Sequence, residues 1–211
     1  MHFLTLFMTF YLIGLGLNRS SISADALEIL KKCDKVYVEN YTVKFPYSLD
    51  ELEFDFEEIR REEVENESIL ANAKDKNVAL LVYGDALSAT THVQLILSCK
   101  KREIKYKIFH NASILTAVAE SGLSLYKFGK VASLPDWREH TNKPKSFMEI
   151  LKENKKMNAH TLILIDIGLE YERGIEQLKE SGFKEDKIIV LSSAGTDKQR
   201  IFYEKEDKCK Y

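Results

Sequence analysis

The sequence predicts an α/β protein organised as two small α/β domains, residues 1–110 and 111–211, sharing a cleft. Three observations point there. Short apolar runs alternate with stretches of helical periodicity along the whole chain, which implies parallel or mostly parallel sheets with right-handed crossovers. The most apolar runs lack in–out alternation, as expected of strands covered on both faces. Each run ends in small or polar residues, and open α/β sheets bind ligands at the carboxyl ends of their strands.

The first element is the uncharged run 1–17 (MHFLTLFMTFYLIGLGL). It falls short of the about 20 apolar residues a membrane span needs. It also lacks the basic start and small-x-small site of a signal peptide. Ending as it does in Gly14-Leu15-Gly16, it reads as a buried strand over 10–15, and the seven residues before Met8 read as an upstream start or loose extension. Ser23 caps the next helix, with Asp25 in the dipole-favoured first turn and Ala26, Leu27 and Leu30 as its buried stripe. The β-branched run 35–39 (KVYVE) gives a second strand and the wholly apolar 78–83 (VALLVY) a third. A helix over 89–102 follows, carrying Val93, Ile96 and Leu97 at helical spacing and cations at its end. A weaker strand covers 106–109, and helices are expected over 113–121, 146–154 and 170–181, the last stopped by Gly182. The runs 161–167 (TLILIDI) and 187–191 (KIIVL) read as central strands of the second domain.

Composition sets limits on function. Of 211 residues, 45% are hydrophobic and 30% charged, which excludes wholesale disorder. Lys and Arg number 31 against 33 Asp and Glu, a net charge of −2. A protein held on nucleic acid by a general positive field would be more basic, so no nucleic-acid partner is expected. Cys33, Cys99 and Cys209 are sparse, odd in number and without a C-x-x-C, which argues against a disulfide framework or cysteine zinc site and fits a reducing, cytoplasmic setting. The five histidines show no ligand spacing, so no metal is expected. One segment stands out: 50–67 carries ten acids against Arg60 and Arg61. It reads as a solvated, partly helical excursion, or alternatively as a docking surface for a basic partner.

The chemistry-bearing positions lie at strand ends. Gly14-x-Gly16 suits either backbone approach to a ligand or a plain tight turn, and Arg19 stands where a dinucleotide fingerprint needs its third glycine. Gly84-Asp85, after the most apolar strand, offers a carboxylate to a small molecule, unless Asp85 merely caps the next helix. Ser113 caps a helix or bonds a ligand carboxylate. Asp166 and the small-residue string Ser192-Ser193-Ala194-Gly195 close two further strands. Their convergence points to a small-molecule pocket. Trp137 and Tyr126 read as packing residues.

With those ends in view, the chain resembles the diphthine synthase family of the tetrapyrrole (corrin/porphyrin) methylase superfamily. The matching strings are 11–17 (YLIGLGL), 26–36 (ALEILKKCDKV), 84–92 (GDALSATTH), 110–114 (HNASI), 122–130 (GLSLYKFGK), 150–154 (ILKEN), 160–167 (HTLILIDI) and 189–195 (IVLSSAG). Each is weak alone; their order across most of the chain is specific. The chain departs from the family at Ala86, where a proline is usual, and at Ser192-Ser193, where Ala-Arg is usual. The family's C-terminal tail has no counterpart after Tyr211.

The resemblance implies S-adenosyl-L-methionine folded into a cofactor cleft between two α/β domains, and a homodimer. It implies methylation, to the trimethylated stage in archaeal-type members, of the amino group on the modified histidine of translation elongation factor 2, a step in diphthamide biosynthesis. Carried over position by position, the cofactor contacts fall on Leu17, Asp85, Ser88, Ser113, Ile114, Ile165 and Ser192. No catalytic residue is implied; Asp166, His110 and His160 are candidates to deprotonate or orient the amine. A cation from 127–145, Lys127 or Lys130 first, suits the acceptor's carboxylate. Two rival readings are another superfamily methyltransferase, acting on a tetrapyrrole or RNA ribose, and a non-catalytic cofactor-binding relative.

Overall fold

The structure, a computed structural model, describes residues 8–184 and 187–204. The expected upstream extension and Cys209 lie outside the described residues. Two compact units emerge. One runs to Ala117 and takes in Ser193–Lys198; the other runs from Val118 to Ser192 and resumes at Gln199.

The first unit is a five-stranded, all-parallel sheet. In chain order it holds β1 (Thr9–Gly14), α1 (Ala24–Leu30), β2 (Lys35–Glu39), β3 (Glu57–Ile59), α2 (Arg61–Glu65), α3 (Ile69–Asn72), β4 (Val78–Val82), α4 (Val93–Lys101), β5 (Lys105–Phe109) and α5 (Ile114–Ala117). The strand order is β3-β2-β4-β1-β5, with Leu12 beside Leu80 and Ile108 in register. Both faces are covered, which is why β1 and β4 read as unbroken apolar runs. Phe10, Leu12, Val78, Leu80 and Val82 pack on α2, α3 and α4. Ile13, Ala79 and Leu81 pack on α1 and on Phe45, Leu52, Phe54 and Phe56. Each of these large side chains gains about 1.5–3 kcal/mol from full burial. Ser23 caps α1 as expected, its oxygen accepting from the Ala26 N–H.

Several elements differ from the sequence reading. The helix expected from residue 89 starts at Val93, because Ala89 takes a left-handed φ of 58° that no helix accommodates. Its buried side is Leu95, Ile96 and Cys99; Val93 and Leu97 face outward. The expected helix over 113–121 is α5 followed by a 3-10 turn. The acidic stretch holds a strand that its charges conceal: β3 forms the sheet edge, Ile59 turned in and Glu57 and Glu58 exposed. Charged side chains on an edge strand discourage pairing with another chain. Glu57 is paired with Lys35, and Glu58 accepts from Asn40.

The second unit contains β6 (Ala132–Leu134), α6 (Ser146–Lys156), β7 (Ile163–Ile165), α7 (Tyr171–Glu180), β8 (Ile188–Ser192) and β9 (Arg200–Glu204). Its core gathers Ala132, Leu134, Phe147, Leu169 and Leu178. The strands expected to be central are not. β7 pairs in parallel with β6, and β8 pairs antiparallel with β9, each in a two-stranded sheet. Partial exposure along β7 and β8 is consistent with these small sheets. α7 ends where expected, with Gly182 at φ 90°.

The boundary between units falls after Ala117, not at 110/111 as the sequence suggests. The physical reason is Asn111, whose amide donates to the Gly14 and Ser21 carbonyls and so ties the start of α5 to the β1 loop. Among the described residues, no helix is long and apolar enough to cross a membrane.

Candidate functional site

Three loops, following β1, β4 and β5, are knitted together at the carboxyl end of the first sheet. Gly16 and Gly84 each donate a backbone N–H to the other's carbonyl at 2.9 Å. The glycines are required by this closeness. A Cβ on Gly14 would stand 2.6 Å from the Gly84 carbonyl oxygen, and one on Gly16 would stand 2.4 Å from Ser21 Cβ. The sequence leaves Gly14-x-Gly16 open between backbone approach to a ligand and a plain tight turn; the structure adds close packing of this loop against Gly84 and Ser21. Asn111 was not singled out by the sequence, and a lone asparagine after a strand carries no signal for this role.

Asp85 sits at the centre of the knot, 7% exposed. Its Oδ1 accepts from the Leu87 N–H at 2.9 Å and the Ser88 hydroxyl at 3.4 Å. Its Oδ2 accepts from the Asn111 N–H at 3.0 Å and from His110 Nδ1 at 2.8 Å. Burial alone would raise this carboxyl, but the Leu87 and Asn111 N–H groups and the His110 ring outweigh it and hold the acid below its ordinary range. Asp85 therefore organises its own turn and does not cap α4. Four donors fill the acceptor capacity of a carboxylate.

The His110 side chain is 67% exposed. A carboxylate only accepts, so Nδ1 carries the hydrogen that points at Asp85, and Nε2 is left to accept a proton. The other two candidates stand in different surroundings. Asp166 accepts from the Asp136 and Ile167 N–H groups. The His160 backbone bridges Lys127 and Gly129, and its ring lies edge-on to Phe128.

Of the seven cofactor positions read from sequence, Leu17, Asp85, Ser88, Ser113 and Ile114 lie in the first unit. Ile165 and Ser192 lie in the second, exposed at the ends of β7 and β8. The Leu17 carbonyl accepts from the Tyr83 hydroxyl at 2.9 Å, and its side chain is covered by Gly195, whose own carbonyl accepts from Asn18 at 2.9 Å. Ser113 is buried and its oxygen accepts from the Leu115 N–H, so it caps α5. Buried amides missed by the sequence reading hold the second unit. Asn154 bonds both backbone groups of Lys130, and Gln177 bonds the Trp137 N–H and the Pro135 carbonyl.

Cys33 and Cys99 are free, and burial pushes both thiols up to about 11. Among the described residues, no three His, Cys, Asp or Glu side chains converge as a metal site. Trp137 is a packing residue, as expected; Tyr126 is fully exposed and is not.

Comparison with known proteins adds to this geometry. The profile of the Tetrapyrrole (Corrin/Porphyrin) Methylases matches residues 9–208. A human protein named diphthine methyl ester synthase is 42% identical over 80% of this chain and 61% of its own length. A Schizosaccharomyces pombe protein of the same name is 39% identical over 94% of this chain and 72% of its own. A crystal structure of a diphthine synthase superposes with a TM-score of 0.85 at 32% identity, covering 94% of this chain and 82% of that one. The chain spans 61% of the length of the human and bovine relatives.

Proposed function

The chain belongs to the tetrapyrrole (corrin/porphyrin) methylase family, and from that footing we propose that it is an S-adenosyl-L-methionine-dependent methyltransferase. Its acceptor in this reading is the modified histidine of translation elongation factor 2, in diphthamide biosynthesis. The observation that carries the reading is the Asp85-centred knot of three strand-end loops, built from strings that the family supplies. The loops bring backbone carbonyls and serine hydroxyls together, a set that suits a ligand bearing an ammonium group and ribose hydroxyls. Leu17, Asp85, Ser88, Ser113 and Ile114, all of the first unit, are proposed to border the cofactor. Asp85 acts by shaping its turn.

When bound, S-adenosyl-L-methionine supplies a methyl carbon on a sulfonium, open to in-line attack with departure of a neutral thioether. The residues of this chain must hold the acceptor in line and keep its lone pair free. An α-amino group of pKa roughly 8 is mostly protonated at neutral pH. In this reading His110 Nε2 takes that proton, while Asp85 orients the ring through Nδ1 and stabilises its charge once the proton arrives. The relatives' name specifies a methyl ester, which is a methylated carboxylate. A carboxylate oxygen, already ionised, needs no base, so the same site serves both acceptors while His110 matters for nitrogen alone.

In this reading the protein works as a homodimer in the cytoplasm, beside its acceptor. The test is mass spectrometry of elongation factor 2 incubated with the protein and S-adenosyl-L-methionine. Methyl masses added at the modified histidine support the reading. No gain there, with transfer instead to a uroporphyrinogen or to RNA, would replace it.

A further inference from the structure

Beneath the Gly84-Asp85 turn lies a buried acid–base pair that the reaction does not use. Glu39, the last residue of β2, is fully buried. Its Oε1 accepts from the Thr42 hydroxyl, while its buried Oε2 has no hydrogen-bond partner. Facing Oε2 at 3.8 Å is Nε2 of His92, itself 2% exposed. The other ring nitrogen, Nδ1, lies 3.2 Å from the Ala86 carbonyl, inside the turn that Asp85 organises. The Thr90 hydroxyl donates to the same carbonyl at 2.8 Å.

The hydrogens on this chain of atoms can be assigned. The Ala86 carbonyl only accepts, so Nδ1 must carry a hydrogen. A neutral ring then turns a bare lone pair on Nε2 toward Glu39. An ionised Glu39 would oppose lone pair to lone pair, both side chains buried and at 3.8 Å too close for a water between them. One further proton between Glu39 and Nε2 removes the conflict. Its loss leaves one stable alternative: the ring moves its hydrogen to Nε2, toward the carboxylate, and gives up the bond to Ala86.

Resting on the methyl-donor reading above, we propose that Glu39 and His92 share a single proton that keeps His92 bonded to the Ala86 carbonyl. Glu39 and His92 are thus positioning residues for the turn that grips the donor. Burial agrees in direction for both partners. It raises the Glu39 carboxyl to about 7, against the opposing pull of Thr42, Tyr41 and the Arg61 guanidinium. It also lowers the His92 ring, against the Ala86 bond. Tyr41 and Arg61 face the acid from the β2 loop and α2, and Glu65 acts on Tyr41 from the same helix.

The test measures the dissociation constant of S-adenosyl-L-methionine by calorimetry between pH 6 and 9, for the natural chain and for Glu39→Gln. The amide of the variant carries no proton that titrates in this range, so it faces Nε2 in the same form at every pH. The natural chain should lose about fivefold in affinity across the range, the scale of one neutral hydrogen bond, while the variant stays level. Coincident profiles overturn the proposal. If the variant does not fold, the imidazole nitrogen signals of the natural chain decide. They should report hydrogen on Nδ1 at pH 6 and on Nε2 at pH 9, and an unchanged tautomer overturns it. Those signals need no cofactor, so a chain that binds no donor at any pH sinks the methyltransferase reading and leaves the proton pair to be judged by itself.

Discussion

Gly16 and Gly84 exchange both of their backbone hydrogen bonds, so the loops after the first and fourth strands are held together by main chain. Nothing flexible lies between them to yield. Gly14→Ala would set a methyl group 2.6 Å from the Gly84 carbonyl and 3.1 Å from the Asp85 Cα. We expect about 1–3 kcal/mol of lost stability, read as a lower urea midpoint at unchanged slope, with weaker donor binding alongside. An unaltered midpoint would mean that the two loops separate easily.

Asp85 makes stability depend on acid. Its folded-state pKa is depressed below the ordinary 3.8, through the Leu87, Asn111 and His110 donors that overcome burial. A depressed acid contributes stability above its unfolded pKa and loses it as pH falls through the folded value. Thermal melts below pH 3.8 should therefore show the natural chain losing stability faster with acidification than Asp85→Asn. Parallel acid limbs would remove the carboxylate from the account.

His110 should matter for nitrogen methylation near neutral pH and less in alkali. His110→Ala is expected to slow transfer to the amine about tenfold at pH 7 and to recover most of that near pH 9, where free amine is plentiful. Ester formation on an acceptor already trimethylated should change little. Product masses from timed reactions separate the two steps, and an equal, pH-independent loss in both would reduce His110 to a structural partner of Asp85.

Lys127, exposed on a 3-10 turn, is the cleaner probe of acceptor binding, because Lys130 is already paired with Glu153 at 2.6 Å. Lys127→Glu should raise the KM for elongation factor about three- to tenfold and leave the donor's dissociation constant unchanged. Equal loss of both affinities counts against the assignment.

What the sequence made legible follows from range. The cap at Ser23, the helix stop at Gly182 and the doubly covered strand at 78–82 depend on neighbours a few residues away, and all were readable. The left-handed Ala89 was not, because alanine has no preference for that conformation and the turn imposes it. The strand in the acidic stretch is only three residues long and shows one apolar residue among charges, too little pattern to detect. The site divided in the same way. Asp85 and His110 stand at strand ends, where ligand chemistry is sought. Asn111, Glu39 and His92 act through partners 97, 53 and 6 residues away or on other strands, and carry no local mark.

The short return of Ser193–Lys198 to the first unit has a further implication, for biosynthesis. Gly195 covers Leu17 and accepts from Asn18, so the loop after the first strand is sealed by residues that lie far later in the chain. A nascent chain emerging from the ribosome can assemble the parallel sheet early, yet its Leu17 flank stays bare until Gly195 has emerged. Gene fragments cut at residue 117 should accordingly yield a soluble sheet only with a protected or mutated Leu17, and proteases should nick such fragments first between the first strand and Ser23.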